Sequence, residues 1–198
     1  ILREADADAA TLQSAADAIY HDARRLETLS QKLLLLYRLN REQTLPMLPV
    51  PLESIWREAA GALANPPRVK WADPMGGRVL GDEALLTNLM QNLVQNALRS
   101  LPAQGGWVAV TAEAEKNGVK ITVTDNGCGM TPEQLQRVTE PFYMVDKSRA
   151  RSMNGSGIGL ALCARIAELH GSTLHFESEP GVGTRCSFCL PQPPNKEQ

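Results

Sequence analysis

The sequence has no long apolar run and no excess of charge of one sign. Its densest apolar stretch covers residues 33–37, far short of the roughly 20 residues that cross a bilayer. The 20 basic and 22 acidic residues leave a net charge of −2. Because nucleic acids and anionic membranes attract markedly positive proteins, this balance argues against either as the main partner. We therefore expect no nucleic-acid binding and no membrane contact by these residues.

The sequence also lacks paired cysteines spaced for a structural zinc site. Its 4 cysteines include one close pair, Cys186 and Cys189, in an apolar stretch near the end. Residues three apart on a strand point to opposite faces, and no second ligand pair is present. Metal binding is therefore the weaker alternative to reduced cysteines, which fit a cytosolic compartment.

Heptad spacing in the first part of the chain predicts one long helix over residues 9–39. The repeating positions are Leu12, Ile19, Leu26 and Leu33, with Leu29 and Leu36 in the second seam position. Such a seam typically meets another helix in a hairpin or a dimer, and packing on the helix's own domain is the alternative. Prolines between residues 40 and 52 then predict a linker.

The rest of the chain mixes helical and strand patterns. Helices are predicted over 52–63, 82–100 and 158–170, and strands over 68–71, 78–80, 107–114, 119–125, 173–177 and 185–190. The two shortest strands flank a turn, and Asn117-Gly118 indicates a hairpin. A capping box, Thr131 with Gln134, predicts a further helix start. The pattern indicates an α+β fold, a two-layer sandwich with helices on one face of a mixed sheet.

An unusual set of amides lies on the predicted helix 82–100. Asparagine is a poor helix former, yet Asn88, Asn92 and Asn96 follow at intervals of four and share one face. A carboxamide oxygen is a hard ligand for Mg²⁺, and Arg99 lies one turn further on, within reach of a phosphate. The alternative is that these amides hydrogen-bond neighbouring backbone.

A turn motif follows the predicted strand 119–125. Asp125 ends that strand, and Gly127, Gly129 and Met130 come after it. An ionised carboxylate only accepts hydrogen bonds, so it selects a donor such as the amine of adenine. Glycine lets the backbone approach a flat ring. An ordinary turn is the alternative.

Two glycine-rich segments complete the set. Residues 155–160 read Gly-Ser-Gly-Ile-Gly-Leu just before a helix, where backbone amides can hold an anion. This is neither a Walker loop nor the dinucleotide-binding motif, whose third glycine would fall on Leu160. In the second segment, residues 181–184, two glycines precede the hydroxyl of Thr184.

The order and spacing of these motifs resemble the Bergerat-type ATP-binding domain of histidine kinases. The family's N, G1, F, G2 and G3 boxes match residues 92–96, 125–129, 141–143, 155–159 and 181–184. We therefore expect a catalytic domain over 46–190, preceded by a helical segment and linker over 1–45 and followed by a flexible tail over 191–198. The resemblance implies ATP and Mg²⁺ as the bound groups.

The resemblance implies a role for each matching residue. Asn96 would be catalytic as the ligand of Mg²⁺, with Asn92 beside it, and Asp125 would bind the adenine amine. The remaining contacts with the nucleotide would come from Arg99, Gly127, Gly129, Met130, Tyr143, Gly155, Ser156, Gly157, Ile158, Gly159, Leu160 and Thr184.

The same resemblance implies a mobile lid over residues 131–154. Phe142 would anchor the lid, and Lys147 and Arg149 would close on the γ-phosphate as the other catalytic residues. The sequence departs from the family at Met144, where many relatives have an arginine. Phosphate contact from that position is lost.

The residue at position 92 bears on the choice between functions. Gyrase-, Hsp90- and MutL-like ATPases carry a glutamate one turn before the metal asparagine. This sequence has Asn92 there, and an amide cannot act as a general base. A histidine kinase core is therefore favoured, and the alternatives are an ATPase of the same fold or a non-catalytic nucleotide-binding scaffold.

The helix 9–39 resembles the second helix of a dimerisation and histidine-phosphotransfer hairpin. The phospho-accepting histidine would then lie upstream of Ile1 in a longer protein, and His21 followed by Asp22 is the weaker alternative. The implied partners are a second copy of the chain, through the hairpin, and a response regulator. The implied location is the cytoplasm, with the longer protein anchored in a membrane.

Overall fold

The computed structural model of the protein describes residues 9–63, 68–74, 77–116, 118–145 and 156–194. The helices are α1 Ala9–Arg41, α2 Leu52–Ala62, α3 Glu83–Ser100, α4 Pro132–Arg137 and α5 Gly159–Leu169. The strands are β1 Leu48–Pro51, β2 Val69–Trp71, β3 Arg78–Gly81, β4 Val108–Glu115, β5 Gly118–Asp125, β6 His175–Glu179 and β7 Gly183–Leu190. None of the helices in these ranges combines the length and the hydropathy that crossing a membrane requires.

Of the strands in the described ranges, five form the main sheet and the other two form a ribbon. The order in the sheet is β2-β4-β5-β7-β6, while β1 pairs with β3. β2 runs parallel to β4 and the remaining neighbours are antiparallel, so the sheet is mixed as the sequence predicts. The register sets Asp125 of β5 opposite Thr184 of β7, which brings two predicted site residues to one end of the sheet.

The core lies between the main sheet and the helices α2, α3 and α5. Val119, Ile121 and Val123 alternate along β5 and are buried, as the strand pattern predicts. They belong to one apolar cluster with Leu89 of α3 and Leu162 of α5. Full burial of such a side chain contributes about 1.5–3 kcal/mol, so this face fixes α3 and α5 on the sheet. The two-layer α+β sandwich predicted from the sequence is confirmed.

Local caps position two helix starts. The Asp82 side chain accepts a hydrogen bond of 2.9 Å from the backbone N–H of Leu85 at the beginning of α3. Thr131 and Gln134 form the predicted capping box of α4. Each cap satisfies N–H groups that the helix itself leaves unpaired.

Helix α1 has two different surfaces. The first seam, Leu12, Ile19, Leu26 and Leu33, is exposed. Leu36 and Leu39 instead belong to the core, and Leu29 packs against it. The spacing of three and four places Leu29, Lys32, Leu36 and Leu39 on one face of α1, which packs toward α5. Packing on its own domain therefore describes the second seam.

The end of α1 is held by a side chain of α5. Arg165 donates from Nε to the Leu39 carbonyl at 3.1 Å and from Nη2 to the Glu42 carbonyl at 2.7 Å. The last carbonyls of a helix have no partner within the helix, and a guanidinium also complements their negative dipole end. Arg165 therefore fixes the point where α1 leaves the domain.

The predicted linker is wrong for residues 48–51, which form β1. Val50 lies opposite Val79 of β3, and both side chains are buried. Proline has a φ angle compatible with an extended edge strand, so Pro49 and Pro51 are tolerated where no ladder donor is needed. Burial of Val50 outweighs the helix-breaking signal that suggested a loop.

The two short strands predicted at 68–71 and 78–80 exist but lie in different sheets. Val69 is aligned in parallel with Val108 of β4. β3 pairs with β1 instead. Both pairings join segments distant in sequence, which a local pattern does not reveal.

Candidate functional site

An open cleft of about 260 Å³ lies between α3, α5 and the adjoining ends of β5 and β7. The predicted site residues that line it are Asn96, Arg99, Asp125, Gly129, Met130, Tyr143, Ser156, Gly157, Gly159, Leu160 and Thr184. The fold thus brings at least one residue from each of the N, G1, F, G2 and G3 motifs to a single cavity. Met144 also lines it.

Other predicted site residues lie beside the cleft or outside the described residues. Asn92 and Ile158 are buried, Phe142 is 60% exposed, and Gly127 lies behind the Asp125 carboxylate to which its N–H is bonded. None of these four lines the cavity. Lys147, Arg149 and Gly155 lie outside the described residues.

At one end of the cleft a buried carboxylate is held by two donors. Asp125 is 8% exposed. Its Oδ1 accepts hydrogen bonds of 2.8 Å from the Ser100 hydroxyl and from the Gly127 backbone N–H. Burial raises the pKa of Asp125, and these two hydrogen bonds partly oppose the increase. Ser100 was missed by the sequence reasoning, although it continues the Asn92 and Asn96 face of α3 by one turn.

A second serine joins the G1 and G3 turns. The hydroxyls of Ser178 and Thr184 lie 2.8 Å apart, and Ser178 accepts a hydrogen bond of 2.9 Å from the Met130 N–H. Ser178 also donates to the Gly183 carbonyl at 2.8 Å. This network fixes the Thr184 hydroxyl beside the Asp125 end. Ser178 was also missed, since nothing in its local sequence distinguishes it from other strand serines.

Glycine is required in the G1 turn for two reasons. Gly129 has a φ of +64°, a region that side chains disfavour. A Cβ at this position would also overlap the backbone carbonyl of Glu179. The turn is therefore pressed against the β6–β7 turn, where the Gly181 N–H donates to the Cys128 carbonyl at 2.8 Å.

At the other end of the cleft, two amides of α3 meet the start of α5. Asn92 donates from Nδ2 to the Asn88 carbonyl and to Asn88 Oδ1, both at 2.8 Å. A Cβ at Gly159 would lie 3.2 Å from Asn92 Oδ1 and 3.7 Å from Asn96 Nδ2. The Asn92 amide nitrogen thus bonds neighbouring backbone, the alternative left open from the sequence, whereas Asn96 faces the cavity.

A lysine of α1 reaches this amide end. Lys32 Nζ donates a hydrogen bond of 2.6 Å to Asn92 Oδ1 and lines the cleft together with Arg99. Burial lowers the pKa of both cations, and the charge of Arg99 lowers the pKa of Lys32 further. Lys32 was not among the residues predicted for the site. The available signal was its spacing of three from Leu29 and four from Leu36.

The two ends of the cleft are separated along α3. Asn92 and Ser100 are eight residues apart on this helix, which corresponds to about 12 Å along its axis. The cleft therefore presents a hydrogen-bond acceptor at one end. At the other end it presents the Asn96 amide, two cations and the backbone N–H groups that begin α5.

The donor set at the amide end fits Mg²⁺ as a bound partner of phosphates. In the part of the chain that the structure describes, no three His, Cys, Asp or Glu side chains form a cluster that could hold a metal ion alone. A cation here would combine an amide oxygen of Asn96 with oxygens of a bound anion, a set that Mg²⁺ accepts.

The F segment packs on Gly157 of the G2 segment. The Phe142 N–H donates to the Gly157 carbonyl at 2.8 Å, and Phe142 has a φ of +66°, which is unusual for a residue other than glycine. A Cβ on Gly157 would lie 2.8 Å from Phe142 backbone atoms. Tyr143 faces the cleft, and the Arg137 guanidinium stacks 4.5 Å from its ring centre. The segment closes one side of the cavity.

The chain belongs to the family of histidine kinase-, DNA gyrase B- and HSP90-like ATPases, whose model matches residues 81–194. SenX3, a sensor-like histidine kinase of Mycobacterium tuberculosis, is 36% identical over 197 residues, covering 96% of this chain and 48% of SenX3. WalK, a sensor histidine kinase of Bacillus subtilis, is 33% identical over 118 residues, covering 59% of this chain and 19% of WalK. The chain spans about half the length of SenX3.

A solved structure of similar fold contains a nucleotide analogue. The crystal structure of full-length ShkA in complex with AMPPNP has a TM-score of 0.73 and 27% sequence identity, covering 92% of this chain and 40% of ShkA. The resemblance to sensor histidine kinases that the motifs predict is thus confirmed by sequence and by fold.

Proposed function

We propose that the chain is the ATP-binding catalytic core of a two-component sensor histidine kinase, which transfers the γ-phosphoryl group of ATP to a histidine. One observation carries the proposal. A single cleft joins the Asp125 acceptor to the Asn96 and Arg99 end, in a chain whose relatives over most of its length are sensor histidine kinases.

The Asp125 end would bind adenine. The Ser100 and Gly127 donors hold the carboxylate in one orientation, and its ionised form accepts a hydrogen bond from the exocyclic amine. Met130 and Gly129 line the cavity where the ring would lie. Thr184, tied to Ser178, would complete the contact from the facing strand.

The amide end would bind the phosphates. The N–H groups of the first turn of α5 point along a helix dipole that favours anions, and Gly157 and Gly159 leave room for a phosphate to approach. Arg99 would offset phosphate charge. Asn96 would supply an oxygen ligand to Mg²⁺, which when bound would neutralise charge that develops on the transferred group. Lys147 and Arg149 stay predicted contributors from the lid.

The cleft favours transfer to another group over hydrolysis. Asp125 is the one carboxylate among the described residues that line the cleft. It is bonded to Ser100, which lies about two turns of α3 from Asn92. Asn92 itself has its amide bonded to Asn88 and Lys32 and has no basic lone pair to take a proton from water. This supports a kinase over an ATPase of the same family.

In the longer protein, α1 would be one helix of a dimerisation hairpin. The phospho-accepting histidine would lie upstream of Ile1, on the first helix of a hairpin whose second helix is α1. The exposed seam of α1 would pair there within a homodimer. The phosphate would pass to an aspartate of a response regulator in the cytoplasm.

Labelled ATP tests the proposal. The protein, extended upstream to include the helix with the acceptor histidine, is incubated with γ-labelled ATP and Mg²⁺. We expect an acid-labile label on the wild-type chain, strongly reduced label in Asn96→Ala, and release of inorganic phosphate slower than labelling. Fast phosphate release without label would indicate an ATPase, and a folded chain that binds no ATP would indicate a scaffold.

A further inference from the structure

Two cations, Lys32 and Arg99, face the amide end of the cleft. Within the described ranges, neither Lys32 nor Arg99 forms a salt bridge with a carboxylate, whereas Arg165 and Arg137 do so elsewhere. The thiol of Cys163 lies close enough to influence Lys32, but burial raises its pKa to about 12, so it is uncharged at neutral pH. Two partly desolvated positive charges that repel each other form a site for an anion.

The position of the Lys32 ammonium is fixed by the docking of α1. Leu36 and Leu39 are 9% and 4% exposed in the core, and Arg165 holds the carbonyls at the helix end. Nζ makes one hydrogen bond to Asn92 Oδ1 at 2.6 Å. An ammonium has three N–H donors, and among the described residues the other two have no hydrogen-bond partner, so they are available to oxygens in the cleft.

We propose that Lys32 binds the phosphate chain of the nucleotide, and that nucleotide binding thereby strengthens the docking of α1 on the domain. The inference rests on the proposed function, since it assumes a nucleotide in this cleft. The triphosphate supplies an anion for both Lys32 and Arg99. Asn92 orients the ammonium toward it.

The contact links two parts of the molecule. Lys32 belongs to α1, whereas Asn92, Arg99 and the glycines of the cleft belong to the domain that α1 packs against. If phosphate binds better when α1 is docked, then docking is favoured by the same factor when phosphate is bound. A nucleotide in the cleft would therefore strengthen the docking of α1, whose other face carries the exposed seam.

Calorimetric titration of the chain with adenosine, ADP and AMPPNP in the presence of Mg²⁺ tests the proposal. Lys32→Met is expected to weaken AMPPNP binding about tenfold, as expected for the loss of a charge-assisted hydrogen bond, and to leave adenosine binding unchanged. Lys32→Arg, which keeps the charge, is expected to recover most of the affinity. Arg38→Met removes an exposed cation from the same helix and serves as the matched control.

Hydrogen exchange of residues 36–41 provides the second measurement. AMPPNP, but not adenosine, is expected to slow exchange at this end of α1 in the wild type and to have less effect in Lys32→Met. If Lys32 had only a structural role, Lys32→Met would change the binding of adenosine, ADP and AMPPNP to the same extent. Should Lys32→Met melt at a much lower temperature, Lys32→Gln replaces it, because glutamine keeps a donor for Asn92.

The outcomes separate the two proposals. A wild-type chain that binds no AMPPNP overturns the proposed function. A wild type that binds AMPPNP, with Lys32→Met equal to it in affinity and in exchange, overturns the role of Lys32 alone. Tighter binding by Lys32→Met also overturns it, since the lysine would then obstruct the site.

Discussion

The hydroxyl of Ser100 lies 2.8 Å from Oδ1 of Asp125 and couples the last turn of α3 to the end of β5. The same hydroxyl is 2.8 Å from the Ala97 carbonyl. Its single proton is better placed toward the carboxylate, because hydrogen bonds to charged acceptors are the stronger ones. Helix α3 thus carries Asn92 and Asn96 at the amide end of the cleft and, through Ser100, orients the carboxylate at the Asp125 end.

Loss of this hydroxyl should weaken nucleotide binding without unfolding the chain. We expect Ser100→Ala to lower the affinity for AMPPNP about fivefold, corresponding to one net hydrogen bond of about 1 kcal/mol. Calorimetric titration measures the change, and Ser30→Ala, an exposed helix serine, is the control. Equal affinities of Ser100→Ala and the wild type would show that Asp125 needs no support from α3.

The close contact at Gly129 should make it far less tolerant than another glycine of similar conformation. Gly171 has a φ of +70°, and no atom of the described residues lies within 4 Å of the position of its missing Cβ. Gly171→Ala should therefore cost only the about 1–2 kcal/mol of a left-handed residue. Gly129→Ala adds an overlap with the Glu179 carbonyl and should lose at least twice as much stability. Denaturant unfolding of both variants checks this, and similar losses would contradict it.

Arg165 should stabilise the docked end of α1. Arg165→Met removes hydrogen bonds from a charged donor to the Leu39 and Glu42 carbonyls, which should cost about 1–3 kcal/mol. Hydrogen exchange is expected to accelerate at residues 36–42 more than in α3. Arg24→Met, on the exposed part of α1, should leave exchange at residues 36–42 unchanged. Equal acceleration at these residues in both variants would argue against a docking role of Arg165.

His170 should make stability depend on pH. It is 1% exposed; the Asp82 N–H donates to its Nε2 at 3.0 Å, and its Nδ1 donates to the Ile166 carbonyl at 2.7 Å, an arrangement for the neutral ring. Burial lowers the pKa of His170 below its ordinary 6.5. The unfolded chain therefore binds more protons, so the stability is complete above pH 6.5 and declines as the pH falls below it.

Thermal melts between pH 8 and pH 5 measure this decline. The wild type should lose stability below pH 6.5, and His170→Gln should show a flatter profile over the same interval. His21→Gln, at an exposed position of α1, should retain the wild-type profile. A wild-type profile without a decline, or one unaffected by His170→Gln, would contradict the assignment.

Local signals predicted the parts of the fold that depend on neighbouring residues. Helix α3 with its amides, the β4–β5 hairpin and the Thr131 capping box each follow from periodicity or turn chemistry within about 20 residues. The strand at 48–51 was missed, because its prolines suggest a loop and its partner lies beyond α2. The parallel pairing of β2 with β4 is likewise set by distant packing.

The site was predictable to a similar degree. Motif residues such as Asp125 and Asn96 carry their signal in their own segments. Ser100, Ser178 and Lys32 join the site because three separate elements meet there, and each is an ordinary residue of its own helix or strand. Side chains that orient a motif are recognised only once tertiary packing is known.

The central claim is that this cleft binds ATP through Asp125 at one end and through Asn96 with Mg²⁺ at the other. Calorimetric titration of the chain with AMPPNP, with and without Mg²⁺, tests it most directly, beside Asp125→Asn and Asn96→Ala. We predict that the wild type binds AMPPNP and that Mg²⁺ strengthens this binding. Asp125→Asn should bind at least tenfold more weakly, because a charged acceptor is lost, and Asn96→Ala should no longer respond to Mg²⁺. A folded wild type that does not bind AMPPNP, or that binds it equally well in all three forms, would contradict the account.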